Sequence, residues 1–134
     1  MNRAKLIALS VALVMPAPSL SAQNVEDGAV LYSQFCAACH GMSLQGDGPM
    51  ASALTVRSSD LTALSENGVF PVFDVVRQID GRDPLLAHGG DMPIFGPWFA
   101  GDGADVAMAG PGGQLMLMSR PIADLVAFLM EEQR

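Results

Sequence analysis

From Gly81 to Gln114 the chain meets a glycine or a proline every few residues: Pro84, Gly89–Gly90, Pro93, Gly96–Pro97, Gly101, Gly103 and the run Gly110–Gly113. Proline fixes φ and removes a donor, and glycine loses the most entropy on ordering, so this density forbids long regular structure. Helices are therefore expected only on either side of it. Asn24 suits an N-cap for a helix beginning near Val25, with Glu26 and Asp27 at its positive end. Val25, Ala29, Tyr32 and Cys36 share one face at helical spacing, and the helix should end near His40–Gly41, where glycine permits a left-handed exit. Ser59 is expected to cap a short turn over Asp60–Ser65, stopped by Asn67–Gly68. Pro71 suits the first turn of a second helix in which Val72, Val75, Val76 and Ile79 face inward before Gly81. A last helix starts near Ser119–Pro121, buries Ile122, Leu125, Val126, Phe128 and Leu129, and ends in Glu131–Glu132. No alternating strand pattern of useful length and no internal repeat is visible. Three short helices give a thin core, and so long a loop is unusual in a compact domain. Something else must fill the interior.

Composition narrows the choice. A chain of 134 residues supports one domain. Only 16 % of it is charged and half is apolar, which argues against a disordered acidic segment. No stretch reaches the ~18 uninterrupted apolar residues of a spanning helix, and two cysteines cannot form a multi-disulfide framework. A net charge of −7 with one tryptophan and one tyrosine gives no nucleic-acid-binding surface. At the front, Arg3 and Lys5 precede Leu6–Val14, apolar except for Ser10, and Pro16, Pro18 and small residues follow. That pattern describes a secretory signal peptide over residues 1–22, cleaved after Ala22 or after Ser21. Residues 23–134 then form the mature domain. Without Arg3 and Lys5, five arginines face fourteen acids, a net charge of −9. A partner recognised by charge should present a basic surface.

The chemistry is concentrated in Cys36-Ala37-Ala38-Cys39-His40. On a helix, i and i+3 lie on one side, so both thiols face one object and the imidazole follows at once. Each vinyl group of a haem can take one thiol as a thioether, and the adjacent histidine is then placed to ligate the iron, which is why c-type attachment needs this contiguous unit. A zinc site would want a second ligand pair, and the only histidines are His40 and His88. A redox dithiol would want a βαβ context, and a disulfide across i and i+3 of a helix would be strained. A planar apolar macrocycle bonded to the chain would also supply the missing interior.

These residues resemble the small monohaem class I cytochromes c, over essentially the whole mature chain. Such proteins carry a glycine eight residues and an aromatic four residues before the first cysteine, here Gly28 and Tyr32. The glycine lets the first helix cross closely over the last, where the matching partners are Leu125 and Phe128. Gly46-Asp47-Gly48-Pro49 is similar to the loop that follows the histidine in bacterial members, whose proline carbonyl accepts a hydrogen bond from the imidazole; Pro49 is the corresponding partner of His40. Met92-Pro93 resembles the distal ligand and the proline after it. The resemblance implies an all-α cytochrome c fold: three to five short helices around one covalently attached haem c, with long Gly/Pro-rich loops. The stretch Gly101–Gly113 is longer than in minimal members, and the lysine ring of mitochondrial relatives is missing.

Among the nine methionines, Met1 and Met15 leave with the signal peptide, and Met42 and Met50 follow His40 too closely to cross the haem plane. Met116, Met118 and Met130 sit in or beside apolar helical patterns, where methionine usually fills a core. Met92, 52 residues beyond His40 and flanked by Gly90 and Pro93, is the expected axial ligand, with Met108 in a glycine loop and His88 as rivals. Arg57, Arg82 and Trp98 are candidate hydrogen-bond donors to the haem propionates, each equally readable as a surface arginine or a core tryptophan. The expected function is a periplasmic electron carrier that is not itself an enzyme, relaying single electrons to redox partners; membrane contact comes only through a membrane-bound partner. The alternatives are a haem subunit of a periplasmic dehydrogenase and a haem protein with an open distal site that binds or senses gas.

Overall fold

The computed structural model describes residues 23–82, 90–103 and 105–134. The signal-peptide reading of residues 1–22 and the reading of His88 lie outside the described residues. In chain order the elements are helices α1 (Val25–Phe35) and α2 (Ala37–His40), 3-10 turns at Ala51–Ala53 and Leu61–Ala63, and helix α3 (Val72–Asp80). Strands β1 (Asp105–Ala109) and β2 (Leu115–Ser119) follow, and helix α4 (Arg120–Glu131) closes the order. No helix among the described residues is long and apolar enough to cross a membrane.

Asn24 caps α1 as expected, its side chain accepting from the N–H groups of Glu26 and Asp27. The buried face is Gly28 and Tyr32, with Val25 and Ala29 only half-buried. α1 packs chiefly on α4, which buries Ile122, Ala123, Asp124, Leu125, Val126 and Leu129 and has Pro121 in its first turn. The crossing is so close that Gly28 meets the backbone carbonyl of Asp124 and the Cβ of Phe128 with no room for a side chain. One turn on, the Tyr32 ring leans on Phe128, centroids 5.3 Å apart. α3 contributes Val72, Val76 and Ile79 to the same core and ends at Gly81, whose φ of 82° is the left-handed C-cap that glycine adopts without strain.

Two expectations are corrected here. The turn before α3 is capped by Asp60, not Ser59: its carboxylate accepts from the Thr62 N–H at 2.9 Å and the Thr62 hydroxyl at 2.7 Å. Those bonds, and then the charges of Arg134 and Arg57, hold the Asp60 carboxyl below the usual carboxylate range. The second correction is larger. The glycine-rich stretch contains an antiparallel hairpin, so the chain is not purely helical. Its register pairs Val106 with Met118 and Met108 with Met116 on the side packed on the core, and Ala107 with Leu117 and Ala109 with Leu115 on the other. Pro111 followed by Gly112 at φ 86°, with the Gly113 N–H donating to the Gly110 carbonyl, makes the type II arrangement that turns the chain.

Candidate functional site

The site is built where α1 stops. Cys36 closes α1 and opens α2: its φ of −110° breaks the helix, yet its N–H still donates to the Tyr32 carbonyl. Its own carbonyl accepts from both Cys39 (3.1 Å) and His40 (2.9 Å). The two cysteines therefore sit one turn apart on a single tight helical turn. Both thiols are free and half-buried. Burial first, and then the neighbouring Cys39, push the Cys36 thiol up to about 11, so it stays protonated at neutral pH. Just behind them, the Tyr32 hydroxyl donates to the Gly41 carbonyl at 2.5 Å. Burial chiefly, with Cys36 and Asp47 adding to it, raises that phenol above its ordinary range.

The four-residue α2 leaves its last three carbonyls without helical partners, and the next loop supplies them. Met50 donates to Ala38, Gly48 to Cys39 and Gly46 to His40, at 2.9, 3.2 and 2.8 Å. A Cβ on Gly48 would fall 2.4 Å from the Ala38 carbonyl oxygen and 2.7 Å from that of Ala37. The glycines of Gly46-Asp47-Gly48-Pro49 thus let one backbone lie directly on another. Gly41, at φ 77° and ψ 161°, makes the exit, in an extended rather than a helical left-handed conformation.

The imidazole partner differs from the one expected. His40 Nδ1 lies 3.0 Å from the carbonyl oxygen of Ser59, while Pro49 follows Gly48 on the exposed side of the loop. A carbonyl oxygen only accepts, so in the neutral ring Nδ1 carries the proton and Nε2 keeps the lone pair. No sequence pattern announces Ser59, because it acts through its main chain.

Met92 is half-buried and packs against the core from the loop between Asp91 and Pro93. The segment after it is anchored to α3: Phe95 donates to the Ile79 carbonyl at 2.8 Å, and Gly81 closes on Ile94. Phe95 and Phe99 stack at 5.6 Å, and the Phe35 ring meets Phe99 edge-on at 5.1 Å, an aromatic cluster beside Cys36 that periodicity alone did not reveal. The rival Met108 is buried on β1 rather than in a loop, and Met116 and Met118 lie on β2 rather than on a helix. Met42, Met50 and Met130 are exposed, which corrects the reading of Met130 as core filler. Arg82 is engaged by Asp80 and the Leu117 carbonyl. Arg57 is exposed in the irregular stretch before Asp60, and Trp98 is 73 % exposed, so it is not a core residue.

The donor set fits a covalently held haem. Two free thiols flank one helical turn, an imidazole follows, and a thioether lies on a loop. Apolar side chains at Phe35, Met42, Met50, Val56 and Trp98 are left uncovered. A protein-family model, Cytochrome c, matches residues 25–132. No curated protein and no solved structure matches the chain.

Proposed function

This chain belongs to the cytochrome c family, and we propose that it is a periplasmic electron carrier whose haem iron is held by His40 and Met92. Membership carries a haem-based electron-transfer role, redox partners and covalently bound haem c. When bound, haem c supplies a one-electron change between ferrous and ferric iron. Cys36 and Cys39 would hold it, each through a thioether formed by adding its S–H across a vinyl group, with no net oxidation. His40 would offer Nε2 to the iron, with Nδ1–H oriented by the Ser59 carbonyl, and Met92 would offer its sulfur. A soft sulfur ligand and apolar surroundings would favour the ferrous state. Arg57 and Trp98 are the exposed donors left for the propionates, Arg82 being tied to Asp80 and the hairpin. Residues 1–22 are the export signal and 23–134 the mature domain.

The observation that carries the reading is the pair of free thiols one turn apart, with an imidazole next to them whose tautomer is already selected. A spectrum of the purified protein with and without reductant tests attachment and ligation together. Met92→Ala is expected to abolish the weak far-red band of a methionine-bound ferric haem and to let the reduced protein bind carbon monoxide. A band that persists unchanged would place the sulfur elsewhere. If the wild-type protein already binds carbon monoxide readily, the distal position is open and the gas-binding alternative holds.

Partner recognition follows from charge. The mature chain's −9 should steer a partner with a basic docking surface. Raising ionic strength from about 0.01 M to about 0.15 M shortens the screening length from ~30 to ~8 Å. The association rate, followed by stopped flow, is expected to drop about tenfold or more over that range. A rate indifferent to salt would mean apolar docking instead.

A further inference from the structure

One side chain beyond the end of α4 makes four hydrogen bonds to main chain. Gln133 Oε1 accepts from the N–H groups of Leu64 and Ser65, both at 2.9 Å. Its Nε2 donates to the Leu61 carbonyl at 2.7 Å and to the Leu129 carbonyl at 2.8 Å. The Leu129 bond satisfies a carbonyl that the end of α4 leaves without a helical partner. The other three fasten the 61–65 segment to the C-terminal end of that helix. Next to it, the Arg134 N–H donates to the Thr62 carbonyl at 3.0 Å. A primary amide has two donors and two acceptor sites, so the capacity of the group is fully used, and no other residue type of that length offers both.

The segment so held begins two residues after Ser59, the residue whose carbonyl receives His40 Nδ1. Between them Asp60 caps Thr62, and the Leu61 N–H donates to the Leu44 carbonyl at 2.8 Å, which ties the same stretch to the loop that folds over α2. Gly46 admits the Ser58 carbonyl so closely that a Cβ there would lie 2.1 Å from its oxygen. The chain is thus held on both sides of Ser59, at Ser58 and Leu61 by the 41–50 loop and at 61–65 by Gln133. We propose that Gln133 is a positioning residue for His40, setting the strength of the Nδ1–H···O bond through the 59–65 segment. The inference rests on His40 being the iron ligand. A ligating imidazole that donates a firm hydrogen bond is more basic and favours the ferric state; loosening the acceptor weakens that effect.

The test uses the intact haem-loaded protein. Gln133→Ala is expected to speed exchange of the His40 Nδ1–H, followed by NMR of the ferrous form, by about tenfold, the range of one net hydrogen bond. The same variant raises the reduction potential. Gln133→Glu keeps acceptors for Leu64 and Ser65 but loses the donors to Leu61 and Leu129, and should fall between. Ile79→Val in the core of α3 serves as the stability control: it lowers the melting temperature while leaving both readouts in place. Wild-type exchange and potential in Gln133→Ala would overturn the proposal, and so would an equal response in Ile79→Val. Pigmented wild-type protein with an unresponsive Gln133→Ala sinks this inference alone. Wild-type protein with no attached pigment sinks the haem reading with it.

Discussion

Exchange of both Cys36 and Cys39 for serine is expected to give a chain with no covalently bound pigment, seen as complete loss of the haem-stained band on a denaturing gel. The reason is chemical rather than steric. Serine is close to cysteine in size, and nothing in the geometry of α2 depends on sulfur: the turn is closed by the Cys36 carbonyl and capped by the glycine loop. A hydroxyl is a poor partner for addition across a vinyl group, whereas a thiol is soft and nucleophilic. Far-ultraviolet circular dichroism of the substituted protein reports separately on the chain. Each single variant keeps one thiol and should retain pigment by one bond, in reduced yield. Pigment that stays attached after both sulfurs are gone would locate the linkage elsewhere and remove the basis for reading His40 as a ligand.

The elements legible in the sequence are those that apolar spacing and short-range capping control. The Asn24 cap, the Val72–Ile79 face closed by Gly81 and the α4 face from Ile122 to Leu129 all appear where the pattern places them. Each is decided within a turn or two of chain. The hairpin was not legible, and its residues say why. Leu115-Met116-Leu117-Met118 is apolar on both faces, so the alternation that marks a half-buried strand is absent. Only the partner strand and the core distinguish the exposed Leu115 and Leu117 from the packed Met116 and Met118. Its turn signal, Pro111-Gly112, is plain in hindsight but lies within a crowd of other glycines.

The site divides along the same line. Side chains that carry chemistry announce themselves by type and spacing, as in Cys36-Ala37-Ala38-Cys39-His40. Main-chain partners do not. The carbonyl on His40 comes from Ser59, nineteen residues on, because the Gly46 and Gly48 backbone lies against both α2 and the Ser58–Ser59 stretch and leaves Pro49 on the outside. Asn67 and Gly68 were expected only to stop a turn. At φ 52° and 76° they form the tight reversal that joins Glu66 to Val69 and returns the chain toward α3.

Gly28→Ala should cost more stability than any other single methyl group added to α1. In an exposed helix interior the same change would gain about 1 kcal/mol from the better helix propensity of alanine. Here the new Cβ would lie 2.1 Å from the Asp124 carbonyl oxygen, 2.7 Å from its carbon and 2.9 Å from the Phe128 Cβ. Two of these are main-chain atoms inside α4, so no rotamer change relieves them, and α1 must lift from α4. Overpacking of this kind costs typically 1–3 kcal/mol and more where backbone must move. A net loss of roughly 2–4 kcal/mol is expected, which lowers the melting temperature of a domain this size by about 10 °C or more. Val30→Ala, at a 53 % exposed position of the same helix, is the control and should stay close to wild type. Pigment should survive in the Gly28 variant, because the thiols are held by the turn of α2 and the loop bonds on it rather than by the crossing. A Gly28→Ala protein that melts with the wild type would mean that the two helices are not in contact there, and the close crossing of α1 over α4 would have to be abandoned.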